Sequence, residues 1–214
     1  MEIDVLIQRR LEQFAADKTE KIDWAIESSG GRIMGSSPSH LVKVESSTLL
    51  SWLRDCYYPT KNPEEMLSPD MTTGSCWPME GSRGFAVLRL RSEIRPTEVA
   101  IEHISHTIAP DYSTAPNEFE VYGLHKDGGE LLPVAGEHKM KGDLLGRFRY
   151  APRAKQLQSF AVGPGPNNRS YQHLKVVVLS NHGSDKYTCL YRVRVHGDAV
   201  TDEELAQRAA DAAR

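Results

Sequence analysis

The sequence predicts an all-β domain of the β-sandwich type, with a coiled-coil-type helix before it and a short helix after it. Short segments alternate apolar and polar residues, as strands with one buried face do. The stretches between them are rich in Gly, Pro, Asn and Asp, which are the residues of tight turns. Strands do not alternate with amphipathic helices, so the pattern does not indicate a parallel sheet.

Composition narrows the class of protein. The chain has 214 residues, 39% apolar and 26% charged, which suits one buried domain with an extension. A net charge of −3 argues against a general nucleic-acid or membrane-surface binder, because either would need an excess of basic residues. No run of 18 apolar residues occurs, and the polar start does not resemble a secretory signal. If the parent protein is anchored in a membrane, we expect the anchor upstream.

Residues 1 to about 28 are predicted to form a helix. Apolar residues recur mostly at steps of three or four, without Pro or Gly, at Ile3, Ile7, Leu11, Phe14, Ile22 and Ala25. Two arrangements fit this pattern: a helix docked on its own domain, or the end of a coiled coil that joins several chains. Gly30-Gly31 would end the helix through a left-handed C-cap.

The next stretch is less regular. Residues 41–44 are predicted to form a short strand, and residues 46–53 either a capped helical turn or the return arm of a hairpin. The prolines of Tyr57-Tyr58-Pro59 and Asn62-Pro63 interrupt the pattern. Residues 65–76 have the composition of a loop, in which Asp70 suits an Asx-turn.

The strands of the sandwich are predicted from their alternation. They cover residues 85–90, 98–104, 118–124, 131–135, 144–150, 156–162, 174–179 and 190–195. In the last of these, Arg192 and Arg194 are expected to face water, with Val193 and Val195 in the core. Residues 198–214 return to helix formers, and Thr201 with Glu204 fits a capping box.

The three cysteines, Cys56, Cys76 and Cys189, allow one disulfide and one spare thiol. No Cys-x-x-Cys or His-rich spacing occurs, which argues against a zinc site.

Several motifs together resemble the SUN domain, the lumenal module of the nuclear envelope that captures KASH peptides. They are YTCLYRVRVHG at residues 187–197, Cys76-Trp77-Pro78 followed by Gly81-Ser82-Arg83-Gly84-Phe85, Glu102-His103-Ile104, and residues 115–123. The resemblance spans about Asp17 to Gly197 and leaves out residues 198–214. It implies a coiled-coil helix over residues 1–29 that helps to set a homotrimer, and a SUN domain over residues 30–197.

The resemblance also implies two loops. A lid over about residues 38–62 is expected to fold over the bound peptide as a β-hairpin. A loop over about residues 65–76 is expected to hold a monovalent cation, K⁺ or Na⁺, largely through backbone carbonyls. The residues assigned to the ion are Glu65, Ser68, Asp70 and Ser75; Asp70 and Gly74 match the family's loop, whereas Ser75 stands where an Asn is common.

By the same resemblance, Cys76 pairs with Cys189. A disulfide that closes a loop on the order of 100 residues contributes about 4–5 kcal/mol at most in the chain-entropy model. It needs an oxidising compartment, and the perinuclear space is continuous with the lumen of the endoplasmic reticulum. Asn168-Arg169-Ser170 is a glycosylation sequon, which is compatible with a lumenal site.

The site implied by the resemblance is a peptide pocket. KASH proteins end in a proline-rich tail with a buried terminal carboxylate, which needs hydrogen-bond donors. The resemblance assigns Tyr187, Tyr191 and Thr114 as donors, places His103 in the same pocket, and gives Gly84 the role of letting the peptide backbone approach. Pro38 stands where some members carry a cysteine that bonds to the partner, so no covalent link is expected there.

The sequence therefore predicts a trimeric peptide-binding module, not an enzyme, which links the inner nuclear membrane to KASH proteins of the outer one. The alternative is a discoidin-like β-sandwich that binds carbohydrate or another ligand, because fold does not determine function. A hydrolase that uses His103 and His196 is disfavoured, since no Gly-x-Ser-x-Gly motif is present.

Overall fold

The computed structural model describes residues 20–43, 57–59, 61–109, 111–125, 142–151, 153–201 and 203–204. The strands within these ranges are β1 Arg32–Ser36, β2 Leu41–Lys43, β3 Tyr57–Pro59, β4 Trp77–Glu80, β5 Gly84–Glu102, β6 Glu118–Leu124, β7 Gly142–Arg149, β8 Leu157–Ala161, β9 Tyr171–Val178, β10 Tyr187–Leu190 and β11 Arg192–Ala199. Short 3-10 helices cover Glu27–Ser29, Pro63–Leu67, Tyr112–Thr114 and Pro166–Asn168. The predicted all-β class is confirmed.

The strands form a β-sandwich. The larger sheet has the order β1-β5-β9-β6-β7, with β11 and β8 paired to β5 off this path. Two short sheets pair β10 with β4 and β2 with β3, and every pairing is antiparallel. The largest core side chains, which include Trp77, Leu88, Phe119 and Tyr150, have exposures below 2% and lie in one continuous cluster.

β5 is the longest strand, and it joins the two parts of the sandwich. Its first half pairs with β1 and β9, and its second half pairs with β11 and β8. The sequence predicted two separate strands here, over residues 85–90 and 98–104, because only these two stretches alternate. The strand continues because β11 changes register between His196 and Gly197, opposite Pro96. A bulge of this kind accommodates a proline, which has no N–H to donate to the ladder.

The end of the chain departs from the prediction of one strand over residues 190–195. The strand divides at Tyr191, so that β10 pairs with β4 and β11 pairs with β5. The expectation that both arginines face water is wrong, because Arg192 is 6% exposed and Arg194 is 2% exposed. Sequence alternation separates the two faces of a strand, but it does not show whether the polar face is covered.

Two carboxylates meet these buried arginines. Arg192 Nη2 lies 3.2 Å from Asp23 Oδ2, and Arg194 Nη2 lies 2.5 Å from Glu102 Oε2. Burial lowers the pKa of Arg194 to about 10, which still leaves the guanidinium charged at neutral pH. Buried charges of this kind are tolerated only with a counter-charge close by.

The helix predicted over residues 1–28 does not extend through residues 20–26, which we call the leading segment; residues 1–19 lie outside the described ranges. The leading segment runs along β11 instead. Trp24 donates its backbone N–H to Val195 O at 2.9 Å and its indole N–H to Gly197 O at 3.0 Å. Asp23 Oδ1 accepts the backbone N–H of Val195 at 3.2 Å. These bonds to β11 replace the bonds that a helix would make within itself.

The C-cap at Gly30 and the capping box at Thr201, near the two ends of the domain, lie where the sequence predicted them. Gly30 ends the 3-10 helix Glu27–Ser29 with φ 112°, in the left-handed region that favours glycine. Thr201 and Glu204 exchange the two hydrogen bonds of a capping box, at 3.2 and 3.3 Å. No helix in the described ranges is long and apolar enough to cross a membrane.

The lid region is partly described. β2 pairs with β3, so the return strand of the hairpin lies at Tyr57–Pro59, where the sequence indicated a break. The predictions for residues 46–53, for Cys56, for the strand over 131–135 and for the helix beyond residue 204 fall outside the described residues.

The buried pair of Asp23 and Arg192 gives a stability prediction. Asp23→Asn removes the carboxylate that faces a guanidinium 6% exposed, so we expect the free energy of unfolding to fall by about 3 kcal/mol. Urea denaturation followed by circular dichroism measures the change. The matched control is Glu118→Gln, which breaks an exposed pair with Arg147 at 2.8 Å and should cost less than about 1 kcal/mol. Equal losses in the two variants would contradict the assignment of Asp23.

Candidate functional site

A disulfide between Cys76 and Cys189 lies at the centre of the candidate site. Cys76 directly precedes β4, Cys189 lies in β10 opposite Pro78, and the two Cα atoms are 5.6 Å apart. The bond spans 113 residues of sequence, so it ties the start of the sandwich to its closing strands. A small buried cluster, Cys76, Ile104, Cys189 and Tyr191, surrounds it. The pairing implied by the resemblance is confirmed.

A pocket of about 360 Å³ opens beside this disulfide. Its described lining is His40, Lys61, Thr73, Gly74, Cys76, Pro78, His103, Ile104, Ala109, Asp111, Thr114, Tyr187, Cys189 and Tyr191. The volume is within the range of small-ligand sites, and a largely apolar wall with few polar groups is typical of them. Four of the five side chains predicted from sequence, His103, Thr114, Tyr187 and Tyr191, line it.

Tyr191 is held by a backbone donor. Its hydroxyl oxygen accepts the N–H of Gly74 at 3.0 Å, and the residue is 3% exposed. Burial raises the pKa of Tyr191, so the phenol stays neutral at physiological pH. Because the oxygen accepts from Gly74, the hydroxyl proton remains available to a ligand acceptor.

Tyr187 lies at the mouth of the pocket. Its ring stacks on His40 with centroids 5.1 Å apart and an angle of 26° between the planes. The hydroxyl of Tyr187 has no hydrogen-bond partner among the described residues. It therefore presents a second neutral donor to the pocket.

The hydroxyl of Thr114 is hydrogen-bonded to the start of the 3-10 turn Tyr112–Thr114. Its hydroxyl donates to the backbone oxygen of Asp111 at 2.9 Å, while Asp111 Oδ1 accepts the N–H of Ser113 at 2.9 Å. The hydroxyl of Ser113 also donates to Oδ1, at 2.7 Å, and these two bonds from Ser113 lower the pKa of the Asp111 carboxyl, which is therefore ionised at neutral pH. Thr114 can donate to a ligand only if its hydroxyl turns away from Asp111 O.

His103 follows the end of β5 and is 1% exposed. Its ring meets those of Tyr191 and Tyr112 edge-on, with centroids 4.7 and 5.1 Å apart. Burial lowers its pKa to about 4, so the imidazole is neutral. Nδ1 lies 3.2 Å from Ile104 O and carries the proton if that contact is a hydrogen bond. Nε2 is then a buried acceptor without a partner in the described part of the chain.

Gly84 is the predicted site residue that the structure does not bring to the pocket. It lies at the start of β5, paired with Val178. A Cβ at this position would lie 2.5 Å from Met79 Sδ and 2.6 Å from Ser37 Oγ. Packing within the chain therefore requires the glycine, and the expectation that it lets a peptide backbone approach stays a prediction.

The polar residues of the pocket that sequence reasoning missed include His40, Lys61 and Asp111. They come from the stretch before β2, the stretch after β3 and the loop after β5. No spacing in the sequence connects them, because only the tertiary fold places these loops around Cys189.

The side chains of the predicted cation loop bond to other groups of the same chain. Glu65 pairs with Lys61 at 3.1 Å, and Ser68 Oγ accepts the N–H of Asp70 at 3.2 Å. Asp70 Oδ1 accepts the N–H and hydroxyl of Thr72, which lowers the pKa of Asp70 to about 2 and confirms the Asx-turn. The described residues contain no group of three or more His, Cys, Asp or Glu that could hold a metal ion.

The sequon residue Asn168 is exposed, with φ 55°. Ser170 of the same sequon is 8% exposed, and its hydroxyl donates to Glu93 Oε1 at 2.5 Å. The acceptor asparagine is thus accessible, while the hydroxyl that defines the sequon is used inside the fold.

Solved structures share the sandwich. The family 32 carbohydrate-binding module of EndoD from Streptococcus pneumoniae aligns with a TM-score of 0.55 and 14% identity, over 83% of this chain and all of that one. A putative chitobiase fragment from Bacteroides thetaiotaomicron aligns with a TM-score of 0.57 and 10% identity, over 85% and 95%. At these identities the likeness concerns the fold alone.

Curated relatives are closer in sequence. SUN domain-containing protein 1 of Homo sapiens is 34% identical over 197 residues, which are 91% of this chain and 24% of that protein. SUN domain-containing protein 3 of Mus musculus is 34% identical over 201 residues, 92% and 58% of the two. Klaroid protein of Drosophila melanogaster is 33% identical over 198 residues, 92% and 20%. The chain spans about a quarter of the length of the first of these relatives.

The family model described as Sad1 / UNC-like C-terminal matches residues 56–199, which include β4 to β11, the disulfide and most of the pocket. Together with the relatives at 34% identity, this match shows that the chain belongs to the SUN domain family.

Proposed function

We propose that the chain binds the C-terminal tail of a KASH protein in the perinuclear space. In this role it bridges the inner and outer nuclear membranes and transmits force between nucleoskeleton and cytoskeleton. The observation that carries the proposal is the convergence of Tyr187, Tyr191, Thr114 and His103 on one pocket beside the disulfide. These residues come from three separate parts of the chain.

The chemistry of the pocket suits a carboxylate. A buried carboxylate needs donors that replace its water, and neutral hydroxyls supply them without a competing charge. Tyr187 and Tyr191 each offer a hydroxyl proton, and Thr114 adds a third if it leaves Asp111 O. His103 Nε2 offers an acceptor for a backbone N–H of the incoming peptide.

The lid adds a second contact in this proposal. β2 and β3 form an isolated two-stranded sheet, which is only marginally stable by itself. A peptide strand that extends this sheet would add main-chain hydrogen bonds and demand little of the peptide sequence.

We further propose a homotrimer through a coiled coil upstream of the leading segment, with a membrane anchor further upstream. Three pockets that bind three tails would gain avidity, because each later binding event is intramolecular. The role is that of a linker and not of an enzyme. Asn168, as an exposed acceptor, is compatible with a lumenal glycan.

A monovalent cation in the loop of residues 65–76 is also proposed. Glu65, Ser68 and Oδ1 of Asp70 are engaged inside the chain, so the loop carbonyls and the second carboxylate oxygen of Asp70 are the groups that would hold such an ion. Its role would be structural, since a bound cation would offset the dipoles of the carbonyls that hold it.

The first test compares two forms of one synthetic proline-rich tail peptide. The form with a free C-terminal carboxylate should bind at least about tenfold more tightly than its C-terminal amide, because a hydrogen bond to a charged group contributes about 1.5–3 kcal/mol. Fluorescence anisotropy measures both dissociation constants. Equal affinity of the two forms would exclude carboxylate capture.

The second test removes one donor. Tyr191→Phe should weaken binding of the acid peptide by about 10- to 100-fold, the same range as above converted at 1.4 kcal/mol per tenfold. Binding of the amide should change much less. Tyr122→Phe is the matched control, because that hydroxyl bonds Glu120 at 2.7 Å, away from the pocket. A similar loss in both tyrosine variants, or for both peptides, would count against Tyr191 as a carboxylate donor.

The third test concerns the cation. Replacing K⁺ and Na⁺ by N-methylglucamine at constant ionic strength should lower the melting temperature, because an ion that binds only the folded state stabilises it. Asp70→Asn should abolish this dependence, whereas Asp185→Asn, a change at an exposed carboxylate elsewhere, should retain it. Identical melting curves in all the salts would exclude a structural ion.

A further inference from the structure

We propose that Lys61 is the counter-charge for the peptide carboxylate, so that recognition in this chain combines an ion pair with the tyrosine hydroxyls. This inference rests on the proposed function and names a specificity residue for the same pocket. It is carried by the charges that line the pocket and by the position of Lys61 at the base of the lid.

The lining of the pocket contains one fixed negative charge. Asp111 is the only Asp or Glu among the described lining residues, and it is ionised because Ser113 donates two hydrogen bonds to Oδ1. Tyr191 is neutral because burial raises its pKa, and His103 is neutral because burial lowers its pKa. Without a cation, a second carboxylate that entered this space would be repelled by Asp111.

Lys61 is the only Lys or Arg among the described lining residues. An entering carboxylate would meet this one fixed cation, as well as the hydroxyls, when the ammonium group exchanges its partner Glu65 for the ligand. Electrostatic complementarity of this kind favours the correct partner and disfavours a neutral analogue such as an amide.

The backbone at Lys61 is held close to the pocket. The residue lies between β3 and the 3-10 helix Pro63–Leu67, whose Met66 and Leu67 are 0% and 1% exposed. These anchors fix the position of the Lys61 backbone, while the flexible side chain can reach for a ligand.

The present partner of Lys61 can be exchanged at little cost. Nζ lies 3.1 Å from Glu65 Oε1, in a pair whose side chains are 40% and 26% exposed. Pairs with this exposure contribute little to stability, because water solvates both groups well. A carboxylate that is already desolvated in the pocket would be a stronger partner for the same ammonium group.

The test measures the acid and amide forms of one proline-rich tail peptide against the full chain and three variants. We expect Lys61→Gln to weaken the acid peptide about tenfold, and Lys61→Arg to keep its affinity within about threefold, because the charge remains. Amide binding should stay within about twofold in each variant, which also shows that the pocket is intact. Lys155→Gln, which changes the net charge equally at an exposed position, should have no effect.

The dependence of peptide affinity on salt concentration is an independent test of Lys61. Raising NaCl from about 0.05 M to about 0.5 M should weaken the acid peptide more in the unmodified chain than in Lys61→Gln, since only the former has an attraction between Lys61 and the carboxylate that salt can screen. Lys155→Gln should keep the salt dependence of the unmodified chain.

The outcomes distinguish a failure of this inference from a failure of the proposed function. If the unmodified chain prefers acid to amide and Lys61→Gln keeps the same preference, Lys61 is not the counter-charge and the proposed function stands. If Lys61→Gln weakens acid and amide equally, its effect is structural and the inference fails. If the unmodified chain binds both forms equally, carboxylate capture and the inference fail together.

Discussion

Antiparallel pairing of both halves of β5 is the constraint on which the remaining structure depends. One strand of 19 residues joins the larger sheet to the strands β11 and β8, so the two parts of the sandwich share a single backbone. The strand ends at Glu102, and the next residue, His103, enters the pocket. The pocket wall therefore begins on a strand that is hydrogen-bonded on both edges, and its position follows from the sheet.

β11 is the second strand on which the site depends, and both of its faces are covered by other parts of the chain. β11 carries Arg192 and Arg194 into the interior, where Asp23 and Glu102 meet them. The leading segment is consequently bound to β11, and Tyr191 immediately precedes the same strand. In the proposed bridge between membranes, load from the upstream chain would pass through β11 to the pocket. The ladder hydrogen bonds and buried ion pairs of β11 would resist this force, because Tyr191 joins β11 directly, without a loop.

The pocket shows how a common fold acquires a specific site. A carbohydrate-binding module and a putative chitobiase fragment share the sandwich at 14% and 10% identity, which means that different sequences can build these sheets. The site of this chain lies in the connections around Cys189. The disulfide fastens the stretch before β4 to β10, the loop that contains Gly74 holds the Tyr191 hydroxyl, and the turn at Tyr112–Thr114 closes the other side. Among the described lining residues, Lys61 and Asp111 carry the ammonium and carboxylate groups.

Much of the fold and part of the site could be predicted from the sequence. Alternation located most strands of the sandwich, turn and cap residues marked Gly30 and Thr201, and motif resemblance placed four pocket side chains and the disulfide. Only the tertiary structure decided that β5 is continuous, that Arg192 and Arg194 are buried, that Gly84 lies elsewhere and that Lys61 and Asp111 join the pocket. The reason is physical: periodicity records which residues share a face of one segment, whereas burial and charge pairing depend on what another, distant segment places against that face.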